Sequence, residues 1–179
     1  MNIFLSQNNV VNSIKDLDDL RLQKQLVEAY QLITLAIREK EVGHEIKAGH
    51  YHHPVCLFYK DNINFLAYYG YISCCEYLHR FNKQHALLEY FRTKCTEMLD
   101  ISVYGNSIEH VFIAPKYIPY YMEGSKGQPN YIRTTKNVSA LFKQKLIKKW
   151  ENDKAKGRPP KWTNREVPEF YKKEMMRSE

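Results

Sequence analysis

The sequence predicts an all-α fold: one compact helical domain with an irregular Pro/Tyr-rich loop and an aromatic-basic C-terminal tail. Three observations carry this. Apolar residues recur at spacings of three and four through most of the chain, as on helices with one buried face. Convincing strand alternation is nearly absent. A length of 179 residues with 44% hydrophobic content fills one core but not two comfortable ones.

The elements follow in order. Residues 2–6 read as a short apolar strand or extended arm. Asp16 or Asp18 is placed to cap a long helix from about Leu17 to Arg38, whose Leu22, Leu26, Ala29, Tyr30, Ile33 and Ile37 share a face. A loop holding Gly43 and Gly49 ends at His50-Tyr51-His52-His53-Pro54, and Pro54 suits the first turn of a second helix. That helix runs from Val55 to Arg80, with a break near Asn62, and its many aromatics suit burial on most sides. A third helix covers Lys83–Asp100. Residues 101–133, with Pro115, Pro119 and Pro129 among tyrosines and glycines, read as an ordered loop. From Thr134 to Asp153 helical spacing returns, with Val138, Leu141, Phe142, Leu146 and Trp150 on one face, until Gly157-Arg158-Pro159-Pro160 stops it. The tail from Lys161 to Tyr171 is aromatic and basic together. The expected organisation is thus one domain over 1–179: a helical core to residue 100 with the candidate active site, the loop, then a basic helix and tail from 134.

No run approaches the roughly 18 apolar residues that span a bilayer. The start Met-Asn-Ile-Phe-Leu-Ser has no basic stretch followed by a long apolar one, so an export signal is not expected. Cys56, Cys74, Cys75 and Cys95 then read as reduced thiols in a cytoplasmic protein.

Charge is distributed unevenly. Residues 1–100 hold 11 Lys+Arg against 12 Asp+Glu, whereas 101–179 hold 16 against 8, so the whole excess of +7 lies in the second part. Residues 126–161 alone carry 11 basic side chains and 2 acidic ones. Such a tract attracts polyanions, and nucleic acid is the usual partner. The bland alternative is a lysine-rich helix face that serves solubility.

On the first long helix Arg21, Lys24, Gln25, Glu28 and Gln31 recur at spacings of three or four. One reading is a solvent-facing stripe with a weak helical ion pair. The other is a catalytic carboxylate, Glu28, among cations and amides that hold a phosphodiester. His50, His52 and His53 lack the partners and spacing of a zinc site, so they read as phosphate contacts or helix caps, and no metal or cofactor is expected. Ser/His/Asp, P-loop and dinucleotide fingerprints are all missing.

The stretch Asn2-Ile3-Phe4-Leu5, followed by Leu17-Asp18-x-x-Arg21-Leu22-x-Lys24-Gln25-x-Val27-Glu28-x-x-Gln31-Leu32, belongs with His53-Pro54 and the tail Lys161-Trp162-Thr163-x-Arg165-x-x-Pro168. Together they resemble a group of small, mostly phage-encoded proteins, relatives of the pyrimidine-dimer DNA glycosylases of the endonuclease V type. That resemblance implies a compact all-α protein that binds duplex DNA, extrudes a nucleotide and cuts its glycosidic bond with the N-terminal α-amine, without metal. It places the assisting glutamate on Glu28, a polar partner on Arg21 and the nucleophilic amine on Met1. Taken with the basic tract and the histidines, it gives as expected nucleic-acid contacts Asn2, Lys24, Gln25, His50, His52, His53, Arg133, Lys145, Lys148, Lys149, Lys161, Trp162 and Arg165, with Trp162 or aromatics of 117–131 stacking where a nucleotide has left.

The chain departs from the family at three points. Asn2 stands where the family has a small residue, and Val27 and Gln31 or Leu32 stand where it carries arginines. The leading expectation is a DNA glycosylase for a damaged or modified base, with abasic lyase activity as a possible second step. The alternatives are a non-catalytic nucleic-acid-binding protein on the same scaffold, or an enzyme for RNA or a phage-modified base.

Overall fold

A computed structural model describes residues 3–42, 54–60, 62–98, 118–120, 130–132 and 135–177. Its described elements are α1 (Val10–Asp16), α2 (Asp19–Val42), α3 (Pro54–Lys60), α4 (Ile63–Phe81), α5 (Leu88–Met98), β1 (Ile118–Tyr120), β2 (Asn130–Ile132), α6 (Thr135–Ala155) and α7 (Glu169–Arg177). The all-α class holds.

The N-terminal arm is extended but pairs with no strand among the described residues, and Ile3, Phe4, Leu5 and Ser6 are all buried. Helix α1 has no counterpart in the periodicity. It is short, started by the Asn9 side chain, whose Oδ1 accepts the Asn12 amide at 3.0 Å. The predicted face of α2 is the buried one: Leu22, Leu26, Ala29 and Ile33 are fully enclosed. Asp16 and Asp18, the expected caps of this helix, use their carboxylates elsewhere. Asp16 accepts from Ser6 and Gln7, and Asp18 accepts from Trp150 and Arg21.

The break near Asn62 is real and separates α3 from α4. Helix α4 lies across α2 and packs closely on α5. At Gly70 a Cβ would come within 2.1 Å of the Phe91 ring, so only glycine permits this crossing. Asn82, in the left-handed region at φ 50°, ends α4 with its N–H on the Leu78 carbonyl. That reversal is why the predicted third helix begins at Leu88 instead of Lys83.

Within the predicted loop, Ile118–Tyr120 and Asn130–Ile132 pair as an antiparallel ribbon, Pro119 opposite Tyr131. Three-residue strands are too short for alternation to register in sequence. Helix α6 buries Val138, Phe142, Leu146 and Trp150 at four-residue intervals, as their spacing predicts. Gly157, at φ 71°, follows its end. The aromatic-basic tail contains α7. It folds back so that Phe170 and Tyr171 lie against the Trp150 ring, at centroid distances of 5.7 and 4.8 Å.

Candidate active site

The site is built where the N-terminal arm crosses α2 and α4. Helical spacing puts Gln25 on the same face as Leu22 and Ala29, so it points inward and is 1% exposed. Its Oε1 accepts the Phe4 backbone N–H at 2.9 Å and the Tyr69 hydroxyl at 3.1 Å. The Tyr69 hydroxyl also approaches the Phe4 carbonyl at 3.3 Å, and the Phe4 ring meets Phe142 of α6 edge-on. The arm is therefore held by both long helices and by the C-terminal part of the chain.

One turn further along α2, Glu28 is half-buried, and its Oε2 accepts from Gln25 Nε2 at 2.8 Å. A single side chain thus joins the arm backbone to the candidate carboxylate. Burial holds the Tyr69 hydroxyl well above the usual phenol range, with Tyr59 and Glu28 adding to the effect, so it stays a proton donor. Lys24, Val27 and Gln31 occupy the exposed side of the same stretch.

Arg21 does not join this group as expected. It is 7% exposed, with Nη1 on Asp18 at 3.1 Å and Nη2 on Asp153 of α6. Asp18 also accepts Trp150 Nε1 at 2.7 Å, and Asp153 also accepts Arg158 at 3.0 Å. The hydrogen bond from Arg21 holds the Asp153 carboxyl below its usual range, whereas burial raises that of Asp18. Arg21 is thus enclosed between two carboxylates, and the reading that it holds a phosphate beside Glu28 is set aside.

Three further expected nucleic-acid contacts are corrected for the same reason. Gln25 is sealed from solvent. Trp162 is 9% exposed: its indole N–H donates to the Asp16 carbonyl at 3.0 Å, and its ring stands edge-on to Trp150, so it is not placed to stack on a base. Arg165 clasps Glu76 through two bonds of 2.8 Å. Burial pushes the Glu76 carboxyl up, but hydrogen bonds from Arg165 and Arg80 outweigh it and hold it below its usual range.

The lysines fare differently. Lys24, Lys148 and Lys161 are exposed, and Lys145 and Lys149 half-buried. Lys24 lies near enough to Asp153 to lower its pKa, so the exposed side of α2 and the end of α6 form neighbouring parts of one surface. Met1, Asn2, His50, His52, His53 and Arg133 lie outside the described residues, as do Tyr117 and Tyr121. Sequence reasoning missed Tyr69, which looks like one more core aromatic. For Gln25 the signal was present, since an amide on the Leu22–Ala29 face needs buried partners.

A cavity of about 420 Å³ opens at the exit of the arm, lined among others by Gln7, Asn12, Ser139 and Lys143. No carboxylate lines it, so the chemistry is sought at Glu28. Among the described residues no three His, Cys, Asp or Glu side chains converge as metal ligands would, and no helix is long and apolar enough to cross a membrane.

Residues 1–89 match the family model for pyrimidine dimer DNA glycosylase. The N-terminal part of the chain is thus similar to that family. The match spans the arm, α1 to α4 and the first residues of α5, and so contains Gln25, Glu28 and Tyr69. The lysine-rich α6 and the tail lie beyond the glycosylase match. No curated protein and no solved structure matches the chain.

Proposed function

We propose that the chain is a DNA N-glycosylase for a damaged or modified base, using Glu28 as its carboxylate and the α-amine of Met1 as its nucleophile. The observation that carries this reading is the Phe4–Gln25–Glu28 linkage inside a glycosylase-family segment. Phe4 lies three positions after Met1, so the amine can lie no farther than about 11 Å from the Phe4 nitrogen. An α-amine with a pKa near 7.7–8.0 is about one-tenth neutral at pH 7, enough to act as a nucleophile.

In this reading the amine lone pair attacks the sugar C1′. The C1′–N bond breaks, and its electrons leave with the base, which takes up a proton. The amine then gives a proton to the Glu28 carboxylate. Glu28 returns it to the ring oxygen as the C1′–O bond opens, leaving an iminium between C1′ and the chain start. Water can hydrolyse the iminium. In lyase turnover, loss of a C2′ proton instead expels the 3′ phosphate.

Lys24, Lys148, Lys149 and Lys161 supply the phosphate contacts, with Lys145 beside them on α6. Extruding the nucleotide costs a few kcal/mol, least for a damaged or unpaired base, which gives selectivity. Val27 and Gln31, where the family carries arginines, make the side of α2 around Glu28 less cationic, which favours a substrate other than the dimer.

The test uses protein without an N-terminal tag, incubated with borohydride and duplexes carrying an abasic site or a pyrimidine dimer. A covalent adduct that disappears when the N-terminus is blocked supports the reading. Glu28→Gln should lower its formation by about 10²–10⁴-fold while leaving DNA affinity intact. Wild-type binding without an adduct on either DNA would favour a binding protein on this scaffold.

A further inference from the structure

We infer that Gln25 and Tyr69 are positioning residues that fix the orientation and charge state of Glu28 relative to the N-terminal arm, an inference that rests on the glycosylase reading for its catalytic meaning. The starting point is a group that has no choice. A backbone N–H can only donate, so the Gln25 atom facing Phe4 N must be the carbonyl oxygen. The Tyr69 hydroxyl, approaching the same oxygen, reinforces this. The carboxamide cannot turn over without setting its NH2 against the Phe4 N–H. Its NH2 therefore faces Glu28, and the carboxylate receives a donor at 2.8 Å.

Burial makes the arrangement firm. Gln25, Tyr69 and Phe4 are all enclosed, so water does not compete for these bonds. Tyr69 remains protonated across any working pH, because burial, Tyr59 and Glu28 all raise its pKa. Its single proton serves the Phe4 carbonyl and Gln25 Oε1 together, which ties α4 to both ends of the linkage.

The consequence concerns Glu28. A hydrogen bond donated to a carboxylate favours its ionised form, and it holds one oxygen so that the other is presented in a constant direction. Among the described residues, the titratable groups near it include Lys24 on its own helix, Tyr69 from α4, and Tyr59 of α3 beside Tyr69. The same amide that orients Glu28 also fixes the backbone three residues from the proposed nucleophile. Nucleophile and carboxylate are thus referenced to one buried side chain, which is what proton transfer between them requires.

The first variant is Gln25→Glu. It retains an oxygen for the Phe4 N–H and the Tyr69 hydroxyl but presents an acceptor, not a donor, to Glu28. Tyr69→Phe is the second variant, since it keeps the ring and removes one of the two bonds that orient Gln25. The first readout is the Glu28 side-chain carboxyl signal followed against pH by 13C NMR in the DNA-free protein. The Glu28 titration should move up by about one pH unit in Gln25→Glu and by less in Tyr69→Phe. A Glu28 titration in Tyr69→Phe identical to wild type overturns the inference; the shift in Gln25→Glu does not decide it alone, since a second carboxylate beside Glu28 raises its titration in any case.

The second readout is single-turnover adduct formation on an abasic-site duplex. The acid limb of its pH profile belongs to the α-amine, so the Glu28 effect is read in the maximal rate, which should fall about tenfold with duplex affinity unchanged, because neither residue reaches the surface. A maximal rate equal to wild type in both variants overturns the inference. Absence of any wild-type adduct sinks the glycosylase reading instead, and the NMR result then decides the positioning role on its own.

Discussion

The Trp150 indole N–H donates to Asp18 Oδ1 at 2.7 Å, across 132 positions of sequence. This bond ties α6 to the start of α2 and completes a chain that runs from Trp150 through Asp18 and Arg21 to Asp153, three residues further along α6. The basic helix is thereby set against the segment that carries Glu28. Trp150→Phe keeps most of the ring packing but leaves Asp18, whose carboxyl burial already pushes upward, without its indole donor. It should cost about 1–3 kcal/mol. Equilibrium urea unfolding measures this, and an unchanged midpoint would show that the bond contributes nothing.

Glu76 plays the matching part for the tail. It accepts from fully buried Arg80 at 2.7 Å and from Arg165 on both oxygens. Its folded pKa lies below the usual 4.5, so this stability is present above about pH 4.5 and is lost as pH falls through the lower folded value. Glu76→Gln should be less stable at pH 7 by about 3 kcal/mol, since it strips a carboxylate from a buried guanidinium. The gap between wild type and variant should narrow on acidification below pH 4.5. Thermal melts of both proteins from pH 7 to pH 3 check the slope as well as the sign.

Tyr59 and Tyr69 are both buried tyrosines, yet their hydroxyls differ. The Tyr59 hydroxyl has no hydrogen-bond partner among the described residues, whereas that of Tyr69 bridges Phe4 and Gln25. Tyr59→Phe should leave the melting temperature unchanged or raise it, because an unsatisfied buried group is removed. Tyr69→Phe should lower stability by about 1 kcal/mol. Comparing the two melts separates hydroxyl bonding from ring packing.

The exposed lysines should be read through salt. Replacing Lys24, Lys148 and Lys161 together by Ala should weaken duplex binding. It should also flatten the dependence of log K on log salt by about 2–3, near 0.9 for each phosphate that is no longer neutralised. Fluorescence anisotropy over a salt series measures both. An unchanged slope would remove this surface from the DNA interface.

Much of the fold was legible because helices advertise themselves locally. The Leu22–Ile33 stripe, the break at Asn62, the Val138–Trp150 face and the stop at Gly157 all follow from spacing and backbone preference. Glu28 was legible too, as the one carboxylate on a polar line. Helix α1 and the three-residue strands were too short to show a period, and α7 was hidden in a tail whose aromatics gave no clear face.

The sequence by itself determined the helical class, the buried faces of α2 and α6, the lysine-rich second part and the candidate carboxylate. These depend on neighbours within a turn or two, and spacing records such neighbours. Only the tertiary structure decided which polar residues lie inside. Arg21 and Gln25 sit on the same helix as exposed Lys24, yet one is enclosed by Asp153 and the other by Phe4 and Tyr69. Burying a polar side chain is tolerable only where partners satisfy it, and those partners arrive from the arm, α4 and α6.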